Sequence, residues 1–201
     1  MHKFVKTIVA PLGIILALLS LIYGVFLPFR KSQLFIQAMR QSSDATSVAS
    51  YMDMFNQALD FPSPIGQAES IKFLENQIGS IVAQKPPQQV ASALVAYADS
   101  ISRVGEPRTH GSNYAQEIVI LGNIHAVNFR NYKAQDDYAA ALALFQKGLT
   151  LSSKRPQFLY GLLQLYTDAG EEEKVKEAAR AILSIWPNDA KLSQLIQYEQ
   201  Q

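Results

Sequence analysis

The side chains best suited to chemistry are scattered along this chain, and their spacing does not group them. His2, His110 and His125 fall in a tail, a loop and a helix, with no paired spacing that would hold a metal. His125 shares a helical stripe with Tyr114, Ile118 and Leu121, so it reads as a packed side chain. Glu69 and Glu75 are related by neither i+3 nor i+4, so no acid–base carboxylate pair on one helix face is indicated. Gly66 and Gly79 stand alone, and no Lys-Ser or Lys-Thr follows a glycine run, so no phosphate-cradling loop is present. Ser42-Ser43 and Ser152-Ser153 read as turn or cap residues. Cysteine does not occur, which removes thiolate nucleophiles, disulfides and Cys-based zinc sites together. The expectation is a protein that is not an enzyme, with no catalytic residues, no metal and no cofactor.

Charge excludes another class. The 201 residues carry 18 basic and 17 acidic side chains, net +1, so no electrostatic case for nucleic acid exists. What does stand out is one uncharged run, Thr7 through Phe29. At about 1.5 Å of rise per residue it is roughly 34 Å long, against a hydrocarbon core of about 30 Å. Its polar exceptions, Thr7, Ser20 and Tyr23, are few. Pro11 is expected in the first turn, and Pro28 at the exit. A cleaved signal peptide is the rival reading, but such apolar regions are shorter and end in a small-x-small site. Leu21 through Leu27 offers none, so a retained anchor is expected, with lipid as its partner. Arg30 and Lys31 read as a membrane-flanking pair. A slight basic excess from Lys3, Lys6 and the amino terminus favours an extracytoplasmic soluble domain.

Beyond Arg40 the apolar spacing is helical throughout, and no useful segment alternates with period two. Val48, Tyr51, Met52, Phe55 and Leu59 form one stripe, with Asp44 as the expected N-cap. Ser63-Pro64 looks like the next N-cap and first helical position, ahead of Ile71, Leu74, Ile78, Ile81 and Val82. Lys85-Pro86-Pro87 ends that stripe. Val90, Leu94, Tyr97, Ile101 and Val104 form a third, and Gly105 to Gly111 is the longest candidate loop. A fourth helix runs from Tyr114 to about Tyr132. Asn188-Asp189 caps a last, short helix carrying Leu192, Leu195 and Ile196, with Lys191, Gln194 and Gln197 on its outer face.

Two later segments carry a repeat signature. Asp137 through Leu149 resembles the second helix of a tetratricopeptide repeat, with Ala141 and Gly148 allowing close approach and Phe145 and Leu149 filling the space. Gly122 serves as a small residue on the preceding helix, one register early. In the next 34 residues Leu159, Leu162, Tyr166, Gly170, Ala179, Leu183 and Pro187 fall at the packing, turn and terminator positions. Val175 and Ser153 depart from the pattern. The resemblance implies an all-α fold: a single N-terminal transmembrane helix followed by an α-α superhelix of tetratricopeptide-like solenoid type. The expected divisions are an anchor over 1–31, degenerate α-hairpins over 32–111, and repeats with a solvating C-terminal helix over 112–201. It also implies a concave groove. Its outward residues would be Gln157, Tyr160, Gln164, Thr167 and Asp168 on one repeat, and Asn123, Ala126, Arg130 and Lys133 on the other. These are either a partner-binding surface or merely solvated helix positions.

A second resemblance covers more of the chain with looser motifs. Arg30-Lys31-Ser32-Gln33-Leu34-Phe35-Ile36-Gln37-Ala38, Phe55 through Asp60, Ser63 through Glu69, and Ser152 through Tyr160 together resemble the carboxy-terminal tail of the bacterial O-antigen ligase/polymerase family. There a last membrane helix leads into α-hairpins and tetratricopeptide repeats. The family's multi-span catalytic body has no counterpart in these residues, so its transferase activity is not carried over. Three functions are therefore open. The first is a membrane-anchored scaffold for protein–protein interaction at the cell envelope, its protein partner membrane-associated. The second is an accessory fragment of a surface-polysaccharide ligase or polymerase system. The third is a translocon-associated or periplasmic chaperone-like adaptor.

Overall fold

The computed structural model describes the backbone of residues 2–102 and 112–197, and the side chains of residues 11–102 and 114–194. Every element among them is helical. The expected loop over 105–111, with His110, lies outside the described residues, as do Val104 and the side chains of His2, Leu195, Ile196 and Gln197. The chain divides into two compact units, residues 1–71 and 72–201.

The first unit opens with α1, His2–Leu21, then a π-helical turn, Ile22–Phe26, and α2, Leu27–Gln41. One helix near the N-terminus is long and apolar enough to cross a membrane. Its side chains from Leu12 to Phe26 are exposed, as an apolar surface facing lipid would be. Two prolines behave differently from the sequence expectation. Pro11 lies inside α1, not in its first turn. Pro28 does not end the helix, which continues to Gln41. The π-turn explains this. A proline ring clashes with the carbonyl four residues back, here that of Gly24, and cannot bond to it. The wider turn moves that carbonyl aside, and the Leu27 N–H bonds five residues back to the Ile22 carbonyl.

Lys31 is also not a membrane-flanking charge. It is 4% exposed, and its ammonium donates to the carbonyls of Leu59 (2.9 Å) and Phe61 (3.0 Å) and to Gln67 Oε1. Three donors meet three acceptors, the full capacity of an ammonium group. Leu59 is the last residue of α3, Val48–Leu59, so the cation sits where carbonyls are orphaned and the helix dipole is negative. Beside it α2 packs on α3, with the rings of Phe35 and Phe55 edge to face at 5.6 Å. Ser47, not Asp44, caps α3, accepting from the Ser50 N–H at 3.1 Å. Asp44 ends a short 3-10 turn instead. Ser63 builds a turn by donating to the Ile65 carbonyl, and Gly66 at φ +92 interrupts any helix begun at Pro64. The next helix, α4, therefore starts at Gln67 and runs to Ala83, crossing the boundary between units.

The second unit continues with α5 (Gln88–Ile101), α6 (Ser112–Tyr132), α7 (Gln135–Leu151), α8 (Pro156–Ala169), α9 (Glu172–Ile185) and α10 (Ala190–Gln197). The expected stripes do face inward: Leu74, Ile78 and Val82 on α4, Leu94 and Tyr97 on α5, and Ile118 and Leu121 on α6 are buried. Helix α6 packs on α5, α7 and α8, α7 on α8, and α8 on α9. Where α6 ends, Asn131 Nδ2 donates to the Val82 carbonyl at 2.8 Å and the Tyr132 hydroxyl to the Pro86 carbonyl. These bonds join the ends of α4 and α6. Leu159, Ala179, Ile182 and Leu192 form a core shared by α8, α9 and α10, flanked by Trp186. Asp189 caps α10, accepting at 3.1 Å from the N–H groups of Lys191 and Leu192.

The spacing between α6, α7 and α8 is set by rings lying against glycines. A Cβ on Gly122 or on Gly161 would fall 2.7 Å from the Phe145 ring, and one on Gly148 would fall 2.2 Å from Phe158. Both rings are fully buried. Gly148→Ala should destabilise the second unit by about 1–3 kcal/mol through overpacking, read as a lowered denaturation midpoint. Adding Phe158→Leu should recover part of that loss. Lys31→Met should lower stability by a similar ~1–3 kcal/mol, because buried carbonyls lose their donor. An unchanged midpoint for Lys31→Met would mean that the ammonium stabilises nothing.

Candidate functional site

Of the side chains that stand isolated along the chain, His125 and Glu75 meet acidic partners around α6. His125 and Asn128 lie one turn apart on it, facing the first turn of α7. His125 Nδ1 bonds to Asp137 Oδ1 at 2.8 Å, and Nε2 bonds to Asp99 Oδ1 on α5 at 3.0 Å. Asn128 Nδ2 donates to the other Asp137 oxygen at 2.6 Å. Burial of the imidazole disfavours its charge, but the hydrogen bonds to Asp137 and Asp99 outweigh that and push its pKa up to about 9. The ring is therefore an imidazolium donating on both sides. It clamps α5, α6 and α7 and holds no lone pair ready to accept a proton. The expected packed histidine is present, yet its partners are two aspartates that the sequence did not connect to it. One available signal was Asp137 in the first turn of α7, where a carboxylate suits a helix N-terminus.

Glu75 is the residue that sequence spacing missed. It points inward from α4, is 0% exposed, and neither carboxyl oxygen has a hydrogen-bond partner among the described residues. Burial, then the nearby charges of Glu117 and Asp99, push its pKa up to about 9, so the group is a neutral acid at pH 7. Glu75 also forms part of the wall of a cavity of about 270 Å³ between α4 and α6, with Gly79, Ala83, Ile120, Ile124 and Val127 supplying apolar surface. Gly79 keeps the two helices close there, since its missing Cβ would lie 3.3 Å from Ile124 Cγ1. Among the described residues no group of three or more histidine and carboxylate side chains is arranged to hold a metal ion.

The expected groove residues separate into two sets. Lys133, Gln164 and Asp168 join: the Lys133 ammonium donates to the Asp168 carbonyl at 2.6 Å, and Gln164 Nε2 to Asp168 Oδ1 at 3.0 Å. Lys133 reaches that position from a left-handed backbone, φ +58, just past α6, with its ammonium 5.1 Å from the Phe129 ring. Tyr160 turns elsewhere. Its hydroxyl donates to the Asp189 carboxylate, and its ring lies 6.5 Å from that of Trp186. Arg130 and Gln157 are exposed. Two further residues do not belong to this surface: Ala126 is buried, and Asn123 lines the α4–α6 cavity.

No protein-family model matches the chain, and no curated protein or solved structure matches it either. The site therefore rests on its own geometry.

The two raised pKa values act on stability with the same sign. For Glu75, the unfolded carboxyl loses its proton above about pH 4.5 while the folded one keeps it to about 9, so rising pH favours unfolding across that window. For His125, stabilisation by the charged ring is complete below about 6.5 and is lost as pH rises through about 9. Stability of the full chain in detergent should thus fall steadily from pH 5 to pH 9. Glu75→Gln should be the more stable protein at pH 8, by on the order of 5 kcal/mol, with a flat profile below about pH 6.5 and a shallower slope above it. A variant no more stable than the parent at pH 8 would show that Glu75 is not held neutral.

Proposed function

We propose that this protein is a membrane-anchored scaffold whose helical hairpins, of tetratricopeptide-like type, bind a protein partner near the membrane. The observation that carries this reading is the hydrogen-bonded row of Lys133, Asp168 and Gln164, with Arg130 and Gln157 exposed on the same two helices, α6 and α8. Support comes from the packing of α6 on α8, helices that alternate with α7 in the chain, as the first helices of successive repeats do. The Phe145 ring between Gly122 and Gly161 gives that approach its fixed spacing. Such a surface suits an extended segment carrying carboxylates and backbone carbonyls. Arg130 presents a planar fork for bidentate pairing, and Gln157 presents an amide that both donates and accepts. The apolar helix over residues 7–29 keeps the domain beside a bilayer, where an envelope partner would be met.

The test is capture from detergent-solubilised membranes by the full chain, with bound proteins identified by mass spectrometry. Replacing Arg130 with Glu and Gln157 with Ala touches no buried contact, so folding should be retained. The double variant should lose at least tenfold in recovery of the specific partner, the equivalent of about 1.4 kcal/mol or more. Equal recovery by both proteins would remove the α6–α8 surface from the account.

A further inference from the structure

Ile65 is 61% exposed in the loop between α3 and α4, between the exposed Pro64 and the turn at Gly66, with Pro62 exposed as well. A lone apolar residue on a surface is ordinary. The position of this one is not. Helices α2 and α3 run antiparallel, pairing Lys31 with Leu59 and Phe35 with Phe55. In that register Phe61 falls level with Phe29, the last residue of the uncharged apolar run. Lys31 stands only about 3 Å further along the helix axis than Phe29. Its side chain leans towards the helix N-terminus, which is the membrane side. At that height its ammonium holds the carbonyls of Leu59 and Phe61 and Gln67 Oε1. The loop over residues 60–66 therefore leaves and returns at the end of the span. Because α3 runs towards the bilayer, the loop that continues it is turned to the bilayer too.

We infer that this loop is a second membrane contact, with the Ile65 side chain seated where lipid headgroups meet acyl chains, beside the span. The surface it extends is the lipid-facing one, on which Phe26 and Phe29 are also exposed. Its backbone suits a place poor in water. Pro62 and Pro64 carry no N–H, the Ile65 N–H donates to Ser63 Oγ at 3.4 Å, and the Ser63 hydroxyl donates to the Ile65 carbonyl at 2.8 Å. Few backbone groups are thus left to lose water on insertion. Asp60, exposed at the same height, repels anionic headgroups, so the contact is apolar and needs no charged lipid. Its consequence is orientation: a hairpin held at the span and at the loop cannot swivel freely about the axis of the span. The inference rests on the membrane anchor of the proposed function and is independent of the Arg130 and Gln157 surface.

The chain has no cysteine, so a single introduced cysteine carries a nitroxide label at a chosen site. The full chain, reconstituted in phosphatidylcholine vesicles, is labelled at Ile65→Cys, at Ile14→Cys inside the span, or at Asp53→Cys, an exposed site on α3 further from the bilayer. All three side chains are exposed, so the labels disturb no buried packing. Electron paramagnetic resonance then reads collisions with oxygen, which partitions into lipid, and with a neutral nickel chelate, which stays in water. The oxygen-to-nickel ratio at Ile65 should exceed that at Asp53 several-fold and fall below that at Ile14. A ratio at Ile65 equal to that at Asp53, with Ile14 in lipid, would overturn the loop contact and leave the span standing. A label in water at Ile14 would remove the span and this inference with it. Shielding of Ile65 from both reagents would mean that protein covers it, which would equally overturn the lipid contact.

Discussion

Phe145 lies between Gly122 of α6 and Gly161 of α8, where a single added carbon at either glycine would stand 2.7 Å from its ring. This contact fixes how closely three helices approach, and with it the separation of α6 from α8. The ring is fully buried, and its apolar area contributes about 2–3 kcal/mol by removal from water alone. Its greater effect is geometric. Packed interiors respond to one methyl group, so a ring seated against bare backbone leaves α6 and α8 a single separation. Lys133, at the end of α6, then reaches the Asp168 carbonyl at the end of α8 without slack.

Much of this packing was legible in the residues. The small Gly148 and Gly122 and the large Phe145 stood at intervals that only close helix packing explains, and the stripes of α3, α4 and α5 face inward as their periods required. Boundaries were less legible, for local reasons. Asp44 and Ser47 are both good caps, and only the 3-10 turn ending at Asp44 decides between them. Ser63-Pro64 has the chemistry of a helix start, but Gly66 in the left-handed region moves that start to Gln67. Pro28 has the chemistry of a helix stop, and a π-turn removes the clash that would have enforced it.

Lys31 shows a different limit. A lysine beside an apolar span is ordinarily a snorkelling charge, and nothing in its neighbours contradicts that. Its real surroundings come from residues 28 to 36 positions away, at the end of α3 and the start of α4. Local sequence does not encode that convergence. Glu75 and His125 are of the same kind. Each lies on an apolar stripe, where a polar residue reads as an exception of no consequence, and the acids that surround them arrive from α5, α6 and α7.

The cluster around α6 divides into a group whose hydrogen bonds are all made and one that makes none. His125 has both nitrogens committed to carboxylates, so a ligand would have to break an ion pair to use it, and a buried pair broken on one side leaves a charge uncompensated. Its role is to lock α5 and α7 onto α6. Glu75 has nothing to break. Its proton is retained by burial and by the like charges of Glu117 and Asp99. The imidazolium clamp makes this arrangement stable enough to persist: by neutralising part of the charge on Asp99 and Asp137, it limits the repulsion between the acids around α6.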